Sequence, residues 1–200
     1  MEISGLLRAY IQSVQLAPTA DNSQPICYTV NNREHSILSG FDRDRCAGFF
    51  LGSDSHAYQI SLGANLENGL RFCHHHNLAN RYEVYDKDIN NLSYKITFNN
   101  DTEAENDIPT EILGRHTNRW PYKLDAISEE LLTVCSSFAE GDVSITILTQ
   151  PDDRKQLAAL IGLASEMRFQ TPEIHNWLYE TLRMTPTEVA GNDGLDIKTI

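Results

Sequence analysis

The sequence predicts an α+β fold in which helices accompany a sheet of short strands. Three stretches support this prediction. Apolar residues recur at three- and four-residue steps near the N terminus, which is typical of an amphipathic helix. Residues 26–30 (ICYTV) and 36–38 (SIL) contain strand formers and flank a polar turn, which predicts a hairpin. A stretch from Ser53 or Asp54 to about His76 is apolar on several sides, which predicts a long, buried central helix.

The two predicted helices of this first part each have a predicted apolar face. On the N-terminal helix it comprises Ile3, Leu6, Leu7, Tyr10, Ile11 and Val14. On the central helix the residues predicted to point inward are Ala57, Ile60, Ala64, Leu66, Leu70 and Cys73. The N-terminal helix should end near Ala17, because the ring of Pro18 clashes with a preceding helical turn. Gly63 and Gly69 should let a neighbouring element approach the central helix closely.

The remaining predicted elements divide the chain into two halves, 1–107 and 108–200, at the polar, acidic stretch 99–107. Strands are predicted at 81–85, 93–98 and 143–149 (VSITILT) from their apolar patterns. Helices are predicted from Pro109 and Thr110 towards Arg115, and at 128–138, 152–169 and 172–182. Residues 191–195 (GNDGL) predict a turn.

Composition and charge exclude several classes of function. Hydrophobic residues at 40% and charged residues at 22% are normal for a globular protein. The net charge of −12 argues against a broad surface for nucleic acid or anionic membrane. No apolar run approaches the ~20 residues of a membrane span, and residues 1–17 lack the apolar core of a secretory signal, so we expect a cytoplasmic protein. The four cysteines have no CxxC spacing and are expected to be reduced.

Two polar motifs carry the functional prediction. Residues 17–25 read APTADNSQP, and residues 115–119 read RHTNR and are followed by Trp120, Pro121 and Tyr122. The first resembles the APSxxNxQPW loop of the FMN-dependent nitroreductase family, and the second resembles that family's R-x-S-x-[RK] motif. Their order is inverted, because the basic motif begins ninety positions after Pro25. This inversion resembles the fused, internally duplicated nitroreductase-like proteins of the Acg type, in which one chain imitates both subunits of the ordinary dimer.

The resemblance implies a nitroreductase-like fold with a central mixed or antiparallel sheet flanked by helices. It also implies a flavin site shared between the halves of one chain, or between the subunits of a homodimer. By resemblance, Arg115 binds the FMN phosphate, Thr117 the ribityl–phosphate region and Arg119 the pyrimidine edge of the flavin. A guanidinium and a hydroxyl suit a phosphate, and a positive charge at the pyrimidine edge favours the reduced flavin. The first half is expected to contribute Pro18, Thr19, Asn22 and Gln24.

The sequence departs from the family pattern at two points. Ile26 stands where the Trp after the QP pair is usual, which removes an aromatic wall of the expected pocket. In ordinary members a further strand, a helix and basic phosphate ligands follow the point that corresponds to Ile200. The chain is therefore expected to contain all of the first half and part of the second.

The predicted function is that of an oxidoreductase, which passes hydride from NADH or NADPH through FMN to a small-molecule acceptor such as a nitroaromatic or a quinone. No catalytic side chain is predicted, because the flavin carries the chemistry. Two alternatives remain open. One is a protein that binds or sequesters flavin without turnover, and the other is an inert structural domain whose site has decayed.

A metal site is not predicted, although His74, His75 and His76 are consecutive. Adjacent histidines on a helix point about 100° apart, whereas helical metal ligands usually stand four residues apart. We expect no carboxylate or cysteine cluster to complete a ligand set with them. We expect these histidines to end the central helix, where cationic side chains suit the helix dipole.

Overall fold

The computed structural model describes residues 5–47, 56–86, 91–99, 107–118, 120–123, 125–139 and 141–199. The chain divides into two compact units. Unit 1 comprises Met1–Thr117 and Trp177–Ile200, and unit 2 comprises Asn118–Asn176. These units are defined by compactness, whereas the predicted boundary at 107/108 separates two homologous halves. That boundary stays a prediction.

Unit 1 begins with four helices and four strands, which largely follow the predicted order. They are α1 (Gly5–Gln15), β1 (Ile26–Asn31), β2 (Ser36–Phe41), α2 (Arg43–Ala47), α3 (His56–His75), β3 (Asn80–Asp86), β4 (Ser93–Phe98) and α4 (Thr110–Gly114). The hairpin, both later strands and the helices α1, α3 and α4 are confirmed. The predicted caps Ser53 and Asp54 lie outside the described residues.

The four strands form one antiparallel sheet in the order β1-β2-β4-β3. The hairpin register pairs Val30 with Ile37, and Ile37 is in turn opposite Ile96 on β4. The coarse prediction of an α+β fold is therefore confirmed, and the sheet is antiparallel rather than mixed. The nitroreductase-like fold itself stays a prediction.

The core lies between this sheet, α1 and α3. Leu7, Tyr10 and Val14 of α1 are fully buried against Ile37 and Ile96 of the sheet and Phe72 of α3. The ring of Tyr10 meets the rings of Phe72 and Phe98 edge to face, with centroids 5.9 and 5.3 Å away. Such aromatic pairs add about 0.5–1.5 kcal/mol each beyond the burial of their area.

The predicted inward face of α3 is wrong apart from Cys73. Ile60 is 72% exposed, and Ala57, Ala64, Leu66 and Leu70 are only half-buried. The buried residues are Tyr58, Ser61, Leu62, Asn65, Asn68, Gly69, Phe72 and Cys73. This face contains polar side chains because they hydrogen-bond to α1: Asn65 Nδ2 donates to the carbonyl of Val14 at 2.8 Å, and Asn68 Nδ2 to that of Ser13 at 3.1 Å. Both carbonyls lie in the last turn of α1, where they also accept the main-chain amides of Leu16 and Ala17 at 3.3 and 3.1 Å.

The two glycines of α3 differ in their surroundings. A Cβ on Gly69 would lie 2.2 Å from the hydroxyl oxygen of Tyr10, so a close approach there is confirmed. A Cβ on Gly63 would meet no atom within 4 Å. Of these two glycines, therefore, only Gly69 allows α1 to approach α3 closely.

Unit 2 contains α5 (Glu129–Ser136) and α6 (Pro151–Gln170), and the chain returns to unit 1 within α7 (Pro172–Thr181). These three helices were predicted. The predicted strand at 143–149 is wrong, because these residues form no ladder with any described segment. No described residue of unit 2 is buried.

The C-terminal part of unit 1 consists of short elements. β5 (Leu182–Arg183) pairs in parallel with β6 (Leu195–Asp196), and α8 (Pro186–Val189) lies between them in the chain. Thr185 and Glu188 form a reciprocal capping box at the start of α8. Residues 191–194 form the predicted turn, in which Gly194 has a φ of +69°.

Two expectations about the whole chain can be compared with the structure. All four cysteines are free thiols, as expected. Burial raises the pKa of Cys73 to about 12 and that of Cys46 to about 11, which suits structural thiols. None of the described helices is both long enough and apolar enough to cross a membrane.

Candidate functional site

The segment 17–25, which joins α1 to β1, has an unusual backbone. Asp21, Asn22 and Gln24 have φ values of 46°, 54° and 52°, in the left-handed region. This conformation costs a residue with a side chain about 1–2 kcal/mol. Three such residues within four positions persist only where surrounding contacts fix them, and clusters of this kind are enriched at ligand sites.

Asn22 supplies most of the contacts that fix this segment. Its Nδ2 donates to the carbonyls of Gly194 at 3.0 Å and Asn192 at 3.3 Å, and its own carbonyl accepts from the Gly194 amide at 3.0 Å. Gln24 Nε2 donates to Asn22 Oδ1 at 2.8 Å, and the Gln24 amide donates to Thr19 Oγ1 at 3.2 Å. The amide of Asn22 is thus occupied by protein partners, which gives it a positioning role.

Two arginines contact the turn at 191–194 through the carboxylate of Asp193. Arg183 Nε donates to Asp193 at 3.1 Å, and Arg45 Nη1 lies 3.9 Å from the same carboxylate. The hydrogen bond from Arg183 holds the pKa of Asp193 below its ordinary value. Arg45 also donates to the carbonyl of Ser23 at 3.3 Å, so it joins the turn to segment 17–25.

The turn that contains Asp193 and Gly194 was predicted, but no site role was predicted for these two residues or for Arg45. The string Asp42–Arg45 has the form D-x-x-R, in which a carboxylate and a guanidinium stand one helical turn apart. Asp42 Oδ1 accepts the Arg45 amide at 3.0 Å, which fixes the first turn of α2. The pairing of Asn22 with Gly194 had no local signal, because 172 positions separate the two residues.

The basic motif begins where α4 ends. Arg115 is the C-terminal cap of α4 and has an extended backbone, with φ −69° and ψ 129°. The chain therefore leaves the helix at Arg115, the residue towards which the helix from Pro109 and Thr110 was predicted to run. The Arg115 guanidinium is exposed and donates to the carbonyl of Leu16 at 3.4 Å. Leu16 directly precedes segment 17–25, so this arginine reaches the end of α1 at which the segment begins.

The structure brings together some of the seven predicted flavin residues. Thr19, Asn22 and Gln24 form one hydrogen-bonded group, and Arg115 reaches Leu16 beside it in the chain. Arg119 lies outside the described residues, so its predicted approach to the first half stays a prediction. Among the predicted flavin residues, Pro18 and Thr117 are exposed, and Thr19, Asn22 and Gln24 are half-buried.

The donor set of the second half suits a phosphate. Within the described part of the chain, Arg115 forms no ion pair, and its guanidinium has further donors beyond the one used on Leu16. Thr117 adds an exposed hydroxyl two residues later. The guanidinium of Arg115 and the hydroxyl of Thr117 can donate hydrogen bonds to oxygens of the same phosphate.

A separate cavity of about 190 Å³ lies on the sheet. Its lining includes Cys27 and Thr29 of β1, Leu38 and Gly40 of β2, and Ser93. None of the predicted flavin residues lines it, and its volume is below the roughly 300–1,000 Å³ of typical cofactor pockets. This cavity is therefore not the predicted flavin site.

The consecutive histidines have a neighbour that sequence reasoning missed. Asp107 lies beside His75 and His76, and one ligand atom from each of the three residues lies within 4.8 Å of the other two. The expectation that no carboxylate accompanies these histidines is therefore wrong. Asp107 follows His76 and His75 by 31 and 32 positions, so no local pattern indicates that they are neighbours.

Comparison with known proteins adds no relative. No protein-family model matches the chain, and no curated protein matches it.

Proposed function

We propose that this protein binds FMN and acts as an NAD(P)H-dependent flavin oxidoreductase for a nitroaromatic, quinone or similar acceptor. The observation that carries the proposal is the contact between the Arg115 guanidinium and the carbonyl of Leu16. This contact brings the start of the basic motif, at Arg115, to the C-terminal end of α1. Segment 17–25 (APTADNSQP) begins directly after that end of α1. The resemblance of the two motifs to the nitroreductase family requires this kind of proximity.

The chain's own residues would divide the binding of FMN between them. Arg115 and Thr117 would hold the phosphate, because their donors are exposed and a guanidinium neutralises phosphate charge. Thr19 and Gln24 would offer hydroxyl and amide groups to the flavin ring. Asn22 would keep the backbone of the segment in its left-handed conformation through Gly194.

When bound, FMN would accept hydride from a nicotinamide and deliver it to the acceptor. The protein would not need a nucleophile or an acid–base pair for this reaction. Its contribution would be to orient the cofactor and to supply positive charge.

Spectroscopy tests the proposal directly. After incubation with FMN and removal of excess cofactor, the protein should retain the absorption bands of oxidised flavin. Rapid mixing with NADH or NADPH should bleach these bands, and a quinone added afterwards should restore them. A chain that retains no flavin would contradict the proposal, whereas retention without bleaching would favour the sequestering alternative.

A further inference from the structure

The C-terminal end of α3 carries a group of side chains that the proposed flavin site does not use. His75 Nε2 lies 3.3 Å from Oδ2 of Asp107, and His76 Nε2 lies 3.5 Å from Oδ1 of the same carboxylate. We propose that His75, His76 and Asp107, which we call the HHD cluster, bind a divalent first-row transition ion such as Zn²⁺. The proposal does not depend on the proposed flavin function.

The end of α3 brings the two imidazoles together although the residues are adjacent. Asn77 has a φ of +50°, its amide donates to the carbonyl of His74 at 3.1 Å, and the amide of Leu78 donates to that of Cys73 at 2.8 Å. These two hydrogen bonds form a Schellman motif, in which His76 is the C-terminal cap of α3. The rings of His75 and His76 are then only 4.8 Å apart between centroids. Both imidazoles therefore reach the same carboxylate, although the two residues are adjacent on the helix.

The separations of the donor atoms suit a small tetrahedral ion. Zinc binds imidazole nitrogen and carboxylate oxygen at about 2.0–2.2 Å, so two ligand atoms of a tetrahedral site lie about 3.4 Å apart. The nitrogen–oxygen distances in the HHD cluster, 3.3 Å from His75 to Oδ2 and 3.5 Å from His76 to Oδ1, are close to this value. One ligand atom from each of the three residues lies within 4.8 Å of the other two, so an ion would draw the side chains closer together. Three protein ligands would leave a fourth position for water.

The surroundings also favour a cation. The side chain of His76 is only 6% exposed, and its ring packs against that of Phe72 at an angle of 52°, with centroids 4.4 Å apart, which fixes one ligand in place. His75 and Asp107 are exposed enough to adjust to an ion. The cluster lies at the negative end of the dipole of a 20-residue helix. Two imidazole ligands select zinc-like ions over Mg²⁺ and Ca²⁺, which prefer oxygen.

A bound ion would replace contacts that His75 and His76 already make with Asp107, so the three residues need not be brought together from separate places. In the structure, His76 Nε2 is 3.0 Å from the main-chain carbonyl of Asp107, within hydrogen-bond range. An ion would take over the ring nitrogens and join Asp107 to the end of α3. Because Asp107 lies three residues before α4, the ion would also fix the start of the helix that leads to Arg115.

The test is a zinc titration of the full chain, prepared without a polyhistidine tag and treated with a chelator. Competition with a chromophoric zinc indicator should give one site per chain. His75→Ala and Asp107→Asn should each weaken binding at least about tenfold, since even loss of an outer partner of a ligand costs 10- to 100-fold. His74→Ala is the matched control, because His74 is exposed on the same helix turn and outside the cluster, and should change affinity less than about twofold.

Two further readouts keep the test decisive. Circular dichroism should show that Asp107→Asn, which preserves shape, remains folded. Co²⁺ in place of Zn²⁺ should give visible absorption that this variant loses. The proposal is overturned if the wild-type chain binds no zinc, if His74→Ala weakens binding as much as His75→Ala, or if a modest excess of Mg²⁺ displaces the ion. Any of these results would mean that the HHD cluster only joins α3 to Asp107 by hydrogen bonds.

Discussion

Replacement of Gly194 by alanine tests whether the turn at 191–194 holds segment 17–25 in place. Gly194 has a φ of +69°, and a Cβ there would lie 2.5 Å from the carbonyl oxygen of Thr181 and 2.6 Å from Cζ of Arg183. The left-handed backbone costs alanine about 1–2 kcal/mol, and overpacking typically costs about 1–3 kcal/mol. We therefore expect Gly194→Ala to destabilise unit 1 by about 2–5 kcal/mol.

The matched control is Gly141→Ala. Gly141 also has a positive φ, of 58°, but a Cβ there meets no atom within 4 Å, so only the backbone cost of about 1–2 kcal/mol applies. Gly141 belongs to unit 2, so this variant should leave segment 17–25 unchanged.

Denaturant unfolding and amide hydrogen exchange measure the two consequences. The fluorescence of Trp177, which is buried in unit 1, should report an earlier transition for Gly194→Ala. The amides of Ala20 and Gln24, which donate to side-chain oxygens, should lose protection in this variant and keep it in Gly141→Ala. If Gly194→Ala keeps both its transition and this protection, the turn does not hold the segment and our reasoning is wrong.

Three more predictions concern packing, pH and redox potential. Gly69→Ala should destabilise the protein by up to about 2 kcal/mol, because overpacking against the Tyr10 ring typically costs about 1–3 kcal/mol and the gain in helix propensity is about 1 kcal/mol. Gly63→Ala should stabilise the protein by about 1 kcal/mol, and equal denaturation midpoints of the two variants would contradict this prediction. Because the pKa of Asp193 is lowered in the fold, its ion pairs add stability above its ordinary pKa of 3.8 and lose it as the pH falls through the lower folded value. Asp193→Asn should thus cost about 1 kcal/mol at neutral pH, and the difference from wild type should vanish in acid unfolding curves. Arg119→Ala should lower the midpoint potential of bound FMN, by about 30 mV for each 1.4 kcal/mol of lost preference for the reduced flavin, and an unchanged potential would remove the assigned role.

Local patterns were sufficient for most elements of unit 1. The hairpin of β1 and β2 was predictable because strand formers flank a polar turn, and α1 because its apolar residues repeat with helical spacing. The buried face of α3 was not predictable in this way. Asn65 and Asn68 face inward because they bind carbonyls at the end of α1, and hydrophobic periodicity treats them as surface residues.

The strand predicted at 143–149 failed for a different reason. An apolar, β-branched run favours extended backbone, but a strand also requires a partner for its amides and carbonyls. No described segment provides that partner. Sequence pattern reports the preference of a segment and contains no information about its neighbour.

The candidate site was predictable in its residue types and not in its connections. The polar residues of 17–25 and the arginine at 115 were identified from the motifs. The partners of Asn22 in the turn at 191–194, and that of His75 at Asp107, depend on tertiary folding over 172 and 32 positions. One such connection gave a positioning role to Asn22, and the other revealed the HHD cluster.

The central claim is that this chain binds FMN through Arg115, and an equilibrium titration with FMN tests it most directly. Loss of a charge-assisted contact typically costs about 1.5–3 kcal/mol, so Arg115→Ala should bind FMN roughly 10- to 100-fold more weakly than wild type. Arg8→Ala is the matched control, because Arg8 is an exposed arginine of α1 and should leave the affinity unchanged. Equal affinities of the two variants, or no FMN binding by the wild-type chain, would contradict the account.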